Sequence, residues 1–409
     1  MERASDWDHA GRLEASLSAL DARDPRYATE AVERLLRAAR AAGASDLHLT
    51  PAEEGLKVDW RRDGVLQRAA LLPLEIAPNV VARMKVLAGL LTYQTDLPQE
   101  GRMRFDDGVS EMRLSTFPTL RGEKAVVRLF AATGRFERLD ELGLPEEILE
   151  ALTRRLGETT GAIVVSGPAG SGKTTTIYAC LRALVESAGG RRSIATLEDP
   201  VEVEVAGVTQ SQVNPRVGLT LEAGLRWLLR QDPEVIVVGE IRDKATAETA
   251  FQASLTGHLV LTSFHAGSAA GAVSRLADMG VEPFMLRGGV LGILSQRLAR
   301  RLCDCAVVAE DPARRLGLRV GQVRVPVGCE QCGGTGYRGR IVLAEWLEPA
   351  PGAVGRAVLD RADAPTLERL AVEAGMVTRW DRARAAAEAG TTSPDEIRRV
   401  LGWGGDDAS

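Results

Sequence analysis

Two glycines, a lysine and a threonine at fixed spacing, Gly167-x4-Gly172-Lys173-Thr174, lie in the run AIVVSGPAGSGKTTTIYACLRAL. The run reads as a buried strand, a glycine loop and a helix in unbroken succession, the context in which that spacing binds phosphate. Glycines let the loop Gly167, Pro168, Ala169, Gly170, Ser171 and Gly172 turn its N–H groups onto phosphate oxygens, where a Cβ would obstruct them. The helix that begins near Lys173 adds its positive end. Lys173 suits the β- and γ-phosphates of ATP, and the Thr174 hydroxyl, with Thr175 beside it, suits Mg²⁺. The bland alternative is a strand–helix turn that binds nothing, and the agreement of pattern with context counts against it.

Phosphate chemistry also needs acids. Glu198 and Asp199 follow the apolar run SIATL, and Glu240 follows Val235–Val238. In an open α/β sheet the carboxyl ends of the strands face the ligand crevice. Glu240 there would hold Mg²⁺ through water or activate the nucleophile. Asp199-Pro200 taken alone also allows the lesser reading of a turn without chemistry. Two of the four histidines, His258 and His265, bracket Leu259–Phe264. At roughly 3.3 Å per strand residue they stand about 23 Å apart, so they share no ion. His265 falls at the same end of the sheet as Lys173, Glu198 and Glu240 and reads as a phosphate sensor. His258 falls at the other end and reads as a core-edge imidazole.

The elements that must position these groups follow from patterning. Residues 1–24 are charged and read as a tail or one loose helix. An α+β domain is expected over 25–131: a helix at 28–43 stopped by Gly43, a strand alternating Leu56, Val58 and Trp60 before an Asp63-Gly64 hairpin, a helix in VVARMKVLAGLL, and two strands in 111–130. The polar stretch 132–147 reads as a linker. Strands and helices alternate over 148–350, which implies a parallel sheet with helices on its faces. Ala-rich helices fill 351–409, where Ser393-Pro-Asp-Glu396 is a capping box.

With 409 residues, 45% hydrophobic and 26% charged, the chain suits two or three folded domains. A net charge of −5 and the lack of a basic aromatic stripe argue against a nucleic-acid translocase. No run of 18 apolar residues would span a membrane. The N-terminus MERASDWDHAGRLEAS lacks the apolar core of a secretory signal. Five cysteines, four of them within 303–332, suit reduced thiols in the cytosol.

The succession GPAGSGKTTT, LEDPVE, LLRQDPEVIVVGEIRD and TGHLVLTSFHAGSAAGAVSRLADMG resembles the secretion ATPase superfamily, and most nearly its type II secretion and type IV pilus assembly motors. ASDLHL, RRDGVL, LPQEGRM, MRLSTFPTLRGEKAVVRL, AGMVTRW and AGTTSPDEIRRVLG extend the likeness over nearly all of 25–403. The resemblance implies a cytoplasmic homo-hexamer, peripheral at the inner membrane through partners only, and no nucleic acid. Each subunit would pair a PAS-like N-terminal domain with a RecA-like ATPase domain. ATP hydrolysis would drive an inner-membrane platform protein that adds pilin or pseudopilin subunits. By the same likeness Glu198 is the Asp-box acid, Glu240 the Walker B acid, and His258 and His265 the His-box residues. Arg113 and Arg128, and Arg226 and Arg230, would neutralise phosphate charge, where guanidinium groups gain most against a charge-rich transition state.

Assembly-type members carry C-x-x-C twice around zinc. Cys329-Glu-Gln-Cys332 matches, but Cys303-x-Cys305 is one residue short of the usual spacing. The four thiols could hold Zn²⁺ or stay reduced without it; Cys180 reads as core. The cysteine-rich insertion favours assembly over a retraction motor, and Lys173, Glu198 and Glu240 favour turnover over an ATP-binding scaffold. Members that dock on a membrane partner carry a further N-terminal domain, for which 1–24 leaves no room. Recruitment is then expected through the platform protein alone, or the chain is a shortened relative.

Overall fold

Alternating apolar residues such as Leu56, Val58 and Trp60 bury one face of a strand and leave the other polar. The computed structural model, which describes residues 9–104, 111–129, 138–189 and 191–403, builds its first unit on that rule. This unit takes the described residues of 1–133 together with 303–306 and 326–339. It holds helices α1 (His9–Ser18), α2 (Tyr27–Ala41) and α3 (Ala77–Leu87). Its strands are β1 (Asp46–Ala52), β2 (Gly55–Arg62), β3 (Val65–Leu72), β4 (Gln99–Arg104), β5 (Glu111–Thr119) and β6 (Gly122–Leu129). They form one antiparallel sheet of order β3-β2-β1-β6-β5-β4. The β2–β3 turn is tight because Asp63 and Gly64 both take positive φ, 48° and 81°. Leu35, Trp60 and Met84 share a buried core with Leu13 and Leu17 of α1. The charged N-terminal stretch therefore includes a packed helix, because its leucines lie four residues apart on one face.

Strands that are apolar at every position need cover on both faces. The second unit supplies it over the described residues of 134–302, 307–325 and 340–409. Its elements are α4 (Glu146–Leu156), β7 (Gly161–Ser166), α5 (Lys173–Ala188), β8 (Ile194–Glu198), β9 (Thr209–Gln212), α6 (Leu221–Leu228), β10 (Val235–Val238), α7 (Lys244–Leu255), β11 (Leu259–Phe264), α8 (Ala269–Asp278) and α9 (Pro283–Gly289). Then come β12 (Val290–Leu302), the two-residue strands β13 (Val307–Val308) and β14 (Arg324–Val325), and β15 (Tyr337–Leu347). Helices α10 (Gly352–Leu359), α11 (Ala364–Glu373), α12 (Arg379–Glu388) and α13 (Pro394–Leu401) close the chain. The sheet order is β15-β12-β7-β11-β10-β8-β9, and β12, β7, β11, β10, β8 and β9 run parallel. Ala162, Val164, Ile236 and Val260 pack with Phe251 and Ala270 on one face. Ile163, Val165 and Leu261 pack with Ile177 and Leu181 on the other.

Of the stretch 132–147 read as a linker, 132–137 lies outside the described residues, and in the rest Leu139 and Leu142 of a short 3-10 turn are buried. One local expectation changes. At α13 only the Ser393 half of the capping box forms, its hydroxyl accepting from Glu396 N at 3.2 Å. The Glu396 carboxylate instead takes the Arg300 guanidinium at 2.8 and 2.9 Å and also Arg399, since a fully buried carboxylate gains more from cations than from one N–H.

Candidate functional site

Parallel pairing brings the carboxyl ends of β7, β8, β10, β11 and β12 to one edge: Ser166 pairs with Phe264 and Ser295, and Val238 with Leu197 and Thr262. The loop after β7 turns sharply into α5. Gly167 has φ +150°, and a Cβ there would come within 2.5 Å of Gln296 O. Gly172, with φ +91°, caps α5. Pro168, Ala169 and Gly170 are exposed, whereas Ser171 and Lys173 are buried and Thr174 half-buried. Lys173 Nζ bends back to donate to Gly167 O at 2.9 Å and Pro168 O at 3.0 Å. Burial pushes its pKa down, an effect that Glu240 opposes and Arg297 reinforces. The ammonium is thus held by neutral carbonyls beside a carboxylate, free to exchange them for phosphate oxygens.

Glu198 ends β8 and is buried. It accepts from Tyr178 OH at 2.5 Å, Thr196 Oγ1 at 2.6 Å and Gln210 Nε2 at 3.2 Å. Burial, then the hydrogen bond to Glu198, drives the Tyr178 phenol far above its usual range, so it stays a donor. Glu240 lies two residues past β10 on a backbone tied by Gly239 N to Leu197 O at 2.9 Å and Ile241 N to Ser263 O at 3.0 Å. Its carboxylate pairs with Arg242 and stands 3.7 Å from His265 Nε2. Arg242 also reaches Asp199 at 3.1 Å, which occupies Asp199 in an ion pair beside the cis Asp199-Pro200 bond. Burial, then the Lys173 charge, holds the His265 pKa below its ordinary value. A neutral imidazole here can donate its one N–H to a phosphate oxygen.

His258 sits at the far end of β11, with Nδ1 3.1 Å from Ala253 O and its own carbonyl accepting from Gly161 N. Arg226 and Arg230 ride on and just past α6: Arg226 pairs with Glu222 at 2.7 Å, and Arg230 stacks over Trp227 at 5.3 Å. Arg113 and Arg128 belong to the first unit, where they are register partners on β5 and β6. Arg113 pairs with Glu100 at 2.7 Å and Arg128 with Asp46 at 3.2 Å.

Sequence reading missed Gln296, Arg297, Tyr178 and Arg242. Gln296 is buried under the glycine loop, donating to Ser171 O at 2.7 Å and accepting from Thr176 Oγ1 at 3.0 Å. Arg297 follows it at the same edge. The only available signal was the polar triplet Ser295-Gln296-Arg297 directly after the apolar run VLGIL.

The four clustered cysteines form a second centre. All four Sγ atoms lie within 4.8 Å of one another, with 3.8 Å for Cys303–Cys329 and Cys329–Cys332 and 4.0 Å for Cys305–Cys332. A tetrahedron of thiolates at about 2.3 Å from one cation has edges of about 3.8 Å, so the set fits a four-coordinate soft metal. Burial would raise Cys332, but the N–H groups of Cys329 and Gly336, each donating to its sulfur at 3.1 Å, outweigh it and leave the thiol at about 7. The short C-x-C spacing therefore still closes a four-sulfur cluster. Cys180 is buried in α5, and burial lifts its thiol to about 12.

Comparison with known proteins adds to this geometry. The model of the family described as type II/IV secretion system protein matches residues 21–399. The type IV pilus assembly ATPase PilB of Thermus thermophilus is 39% identical over 365 residues, 87% of this chain and 41% of that protein. The type II secretion system protein E of Dickeya dadantii is 44% identical over 311 residues, 74% of this chain and 62% of its own. The chain thus spans less than two thirds of these relatives. The X-ray structure of the Legionella pneumophila ATPase DotB superposes with TM-score 0.66 at 21% identity, covering 94% of this chain and 97% of that one. At that identity the likeness is one of fold: an α/β fold shared with that ATPase. Among the described residues no helix is long and apolar enough to cross a membrane.

Proposed function

This chain belongs to the type II/IV secretion system protein family, and from that membership we propose that it is an ATP-hydrolysing motor powering assembly of a type II pseudopilus or type IV pilus. The observation that carries the reading is the convergence of Lys173, Glu198, Glu240 and His265 at one sheet edge. Lys173 leaves the carbonyls of Gly167 and Pro168 for the β- and γ-phosphates. Thr174 and Glu240 hold Mg²⁺, which when bound screens phosphate charge. Glu240 orients the attacking water, and neutral His265 reads the γ-phosphate. Glu198, saturated by three donors, keeps Tyr178 and the β8 end in place. The phosphate loop covers one face of the nucleotide, and Arg113, Arg128, Arg226 and Arg230 add positive charge where phosphoryl charge develops.

On this reading 25–131 is a PAS-like domain, 148–350 a RecA-like core, 132–147 a linker and 351–409 a helical region. The working form is a homo-hexamer in the cytoplasm, bound to an inner-membrane platform protein. Cys303, Cys305, Cys329 and Cys332 hold Zn²⁺ as a local fold support. Two observations favour assembly over retraction: the cysteine cluster, and likeness to proteins named for pilus assembly and type II secretion. The test is turnover against protein concentration. Activity should rise more than linearly as rings form, and Arg113→Ala with Arg128→Ala should bind ATP but hydrolyse it slowly. Linear activity and a fully active double variant would contradict the ring motor.

A further inference from the structure

The segment His265–Ala269, which leads from β11 into α8, is gripped by groups to which the motor reading gives no task. Arg275 Nη1 donates to His265 O at 2.7 Å. Arg297 Nη2 donates to Gly267 O at 2.8 Å, and its Nη1 to Gln296 O at 3.3 Å. Ser268 Oγ caps α8 by accepting from Gly271 N at 2.9 Å, and Ala269 N donates to Glu345 Oε1 at 2.7 Å. Glu345 is fully buried and also takes the Arg379 guanidinium at 3.1 Å.

The arginines differ in their partners. Arg226, Arg242, Arg300 and Arg379 of the same unit each meet a carboxylate. Among the described residues Arg275 and Arg297 have only carbonyl acceptors. Burial lowers the Arg297 pKa, so little solvent compensates its charge. Arg275 is exposed, but Arg297 is half-buried, and a cation there that hydrogen-bonds carbonyls alone, with the Glu345 charge nearby rather than in contact, is costly and persists where its geometry is needed or an anion arrives. Both conditions meet here: the carbonyls lie on either side of Ala266, and the edge they face is the one assigned to phosphate. Gly267 has open space around it, since a Cβ there would meet nothing within 4 Å. The segment is therefore held by these hydrogen bonds rather than by packing at that point.

We infer that Arg297 is a positioning residue: with Arg275 it clamps the carbonyls of residues 265 and 267 and so fixes where His265 stands over the γ-phosphate. The inference rests on the reading of this sheet edge as an ATP site. Spanning Gln296 O and Gly267 O takes the rigid fork of a guanidinium, which the single ammonium of lysine cannot reproduce.

The test uses the full chain with Arg297→Ala and Arg297→Lys, measuring kcat and KM for ATP and amide hydrogen exchange by mass spectrometry. Both variants should lose at least about tenfold in kcat with KM within about threefold, the signature of an interaction that matters in the transition state. Amides of 265–269 should exchange at least about tenfold faster while β7, β10 and β11 exchange as in the parent. The lysine variant carries the test alone if alanine fails to fold. Parental kcat and exchange overturn the clamp. Lost kcat without faster exchange overturns it too, because Arg297 would then act on phosphate directly. Faster exchange throughout the sheet reduces Arg297 to general support and also overturns it. A parent chain that hydrolyses no ATP fails the motor reading itself, an outcome distinct from active parent and unchanged variants.

Discussion

Replacing Gln296 with alanine tests whether the phosphate loop is built from β12 as well as from its own glycines. Gln296 is 2% exposed and spans Ser171 O at 2.7 Å and Thr176 Oγ1 at 3.0 Å. Alanine strands a buried carbonyl and a buried hydroxyl, at about 1–3 kcal/mol each. The void adds about 1 kcal/mol, and water entering it recovers part of the loss. The net cost is about 2–4 kcal/mol, a fall of about 5–12 °C in melting temperature for a unit of this size. Both orphaned groups belong to the loop and the first turn of α5. If about half the cost must be met again when ATP orders the loop, Kd rises about 5–30-fold. Gln296→Glu should be worse, since a carboxylate would face Ser171 O without a proton to donate. Differential scanning fluorimetry and titration with a fluorescent ATP analogue read both quantities. A melting temperature within about 2 °C and a Kd within about twofold of the parent would refute the reasoning, given the magnitudes above.

Three further outcomes are expected. Lys85 is fully buried and donates to Glu123 Oε1 and Gln94 O at 2.8 Å; Lys85→Ala should cost about 3–5 kcal/mol in urea unfolding, and Lys85→Met with Glu123→Leu far less. Burial, followed by Arg61 for His48 and Lys173 for His265, lowers both histidine pKa values from 6.5, so the unfolded chain protonates first. Their contribution is then complete above pH 6.5 and lost as pH falls below it; an unchanged melting temperature between roughly pH 7.5 and 5.5 would contradict this, and His48→Gln should flatten part of the fall. Protein purified without chelator should carry about one zinc per chain, and its removal should loosen 303–332 while leaving ATP binding intact; elemental analysis near zero would count against the cluster as a metal centre.

The parts of the site readable in the sequence are those whose geometry is local. Gly167, Gly172 and Lys173 lie within one strand–loop–helix unit, so spacing alone carries their relation. Glu198, Glu240 and His265 follow apolar runs, and parallel pairing of those runs brings their ends together. Gln296 and Arg297 were illegible for the opposite reason. They reach the loop from β12, and the run LSQRLARRL is rich in residues that favour helix, so neither strand nor register could be read from it. Residues 1–24 read as a tail or one loose helix, and the burial of Leu13 and Leu17 shows a helix that packs. Glu396 was read as a local cap because the sequence cannot see Arg300, 96 residues away, which takes its carboxylate. At the cysteines the spacing was informative but incomplete, since the second pair and the turn after it bring the sulfurs together.

The most direct test of the central claim compares Lys173→Ala with Glu240→Gln in the full chain, measuring ATP binding and phosphate release on the same preparations. The account predicts that Lys173→Ala loses both, because a charge aimed at the β- and γ-phosphates is gone. Glu240→Gln should retain binding within about threefold while turnover falls at least about a hundredfold, since the amide keeps the shape but can neither orient water as a base nor carry charge. Parental phosphate release from either variant would contradict the assignment of this sheet edge as the site of ATP hydrolysis.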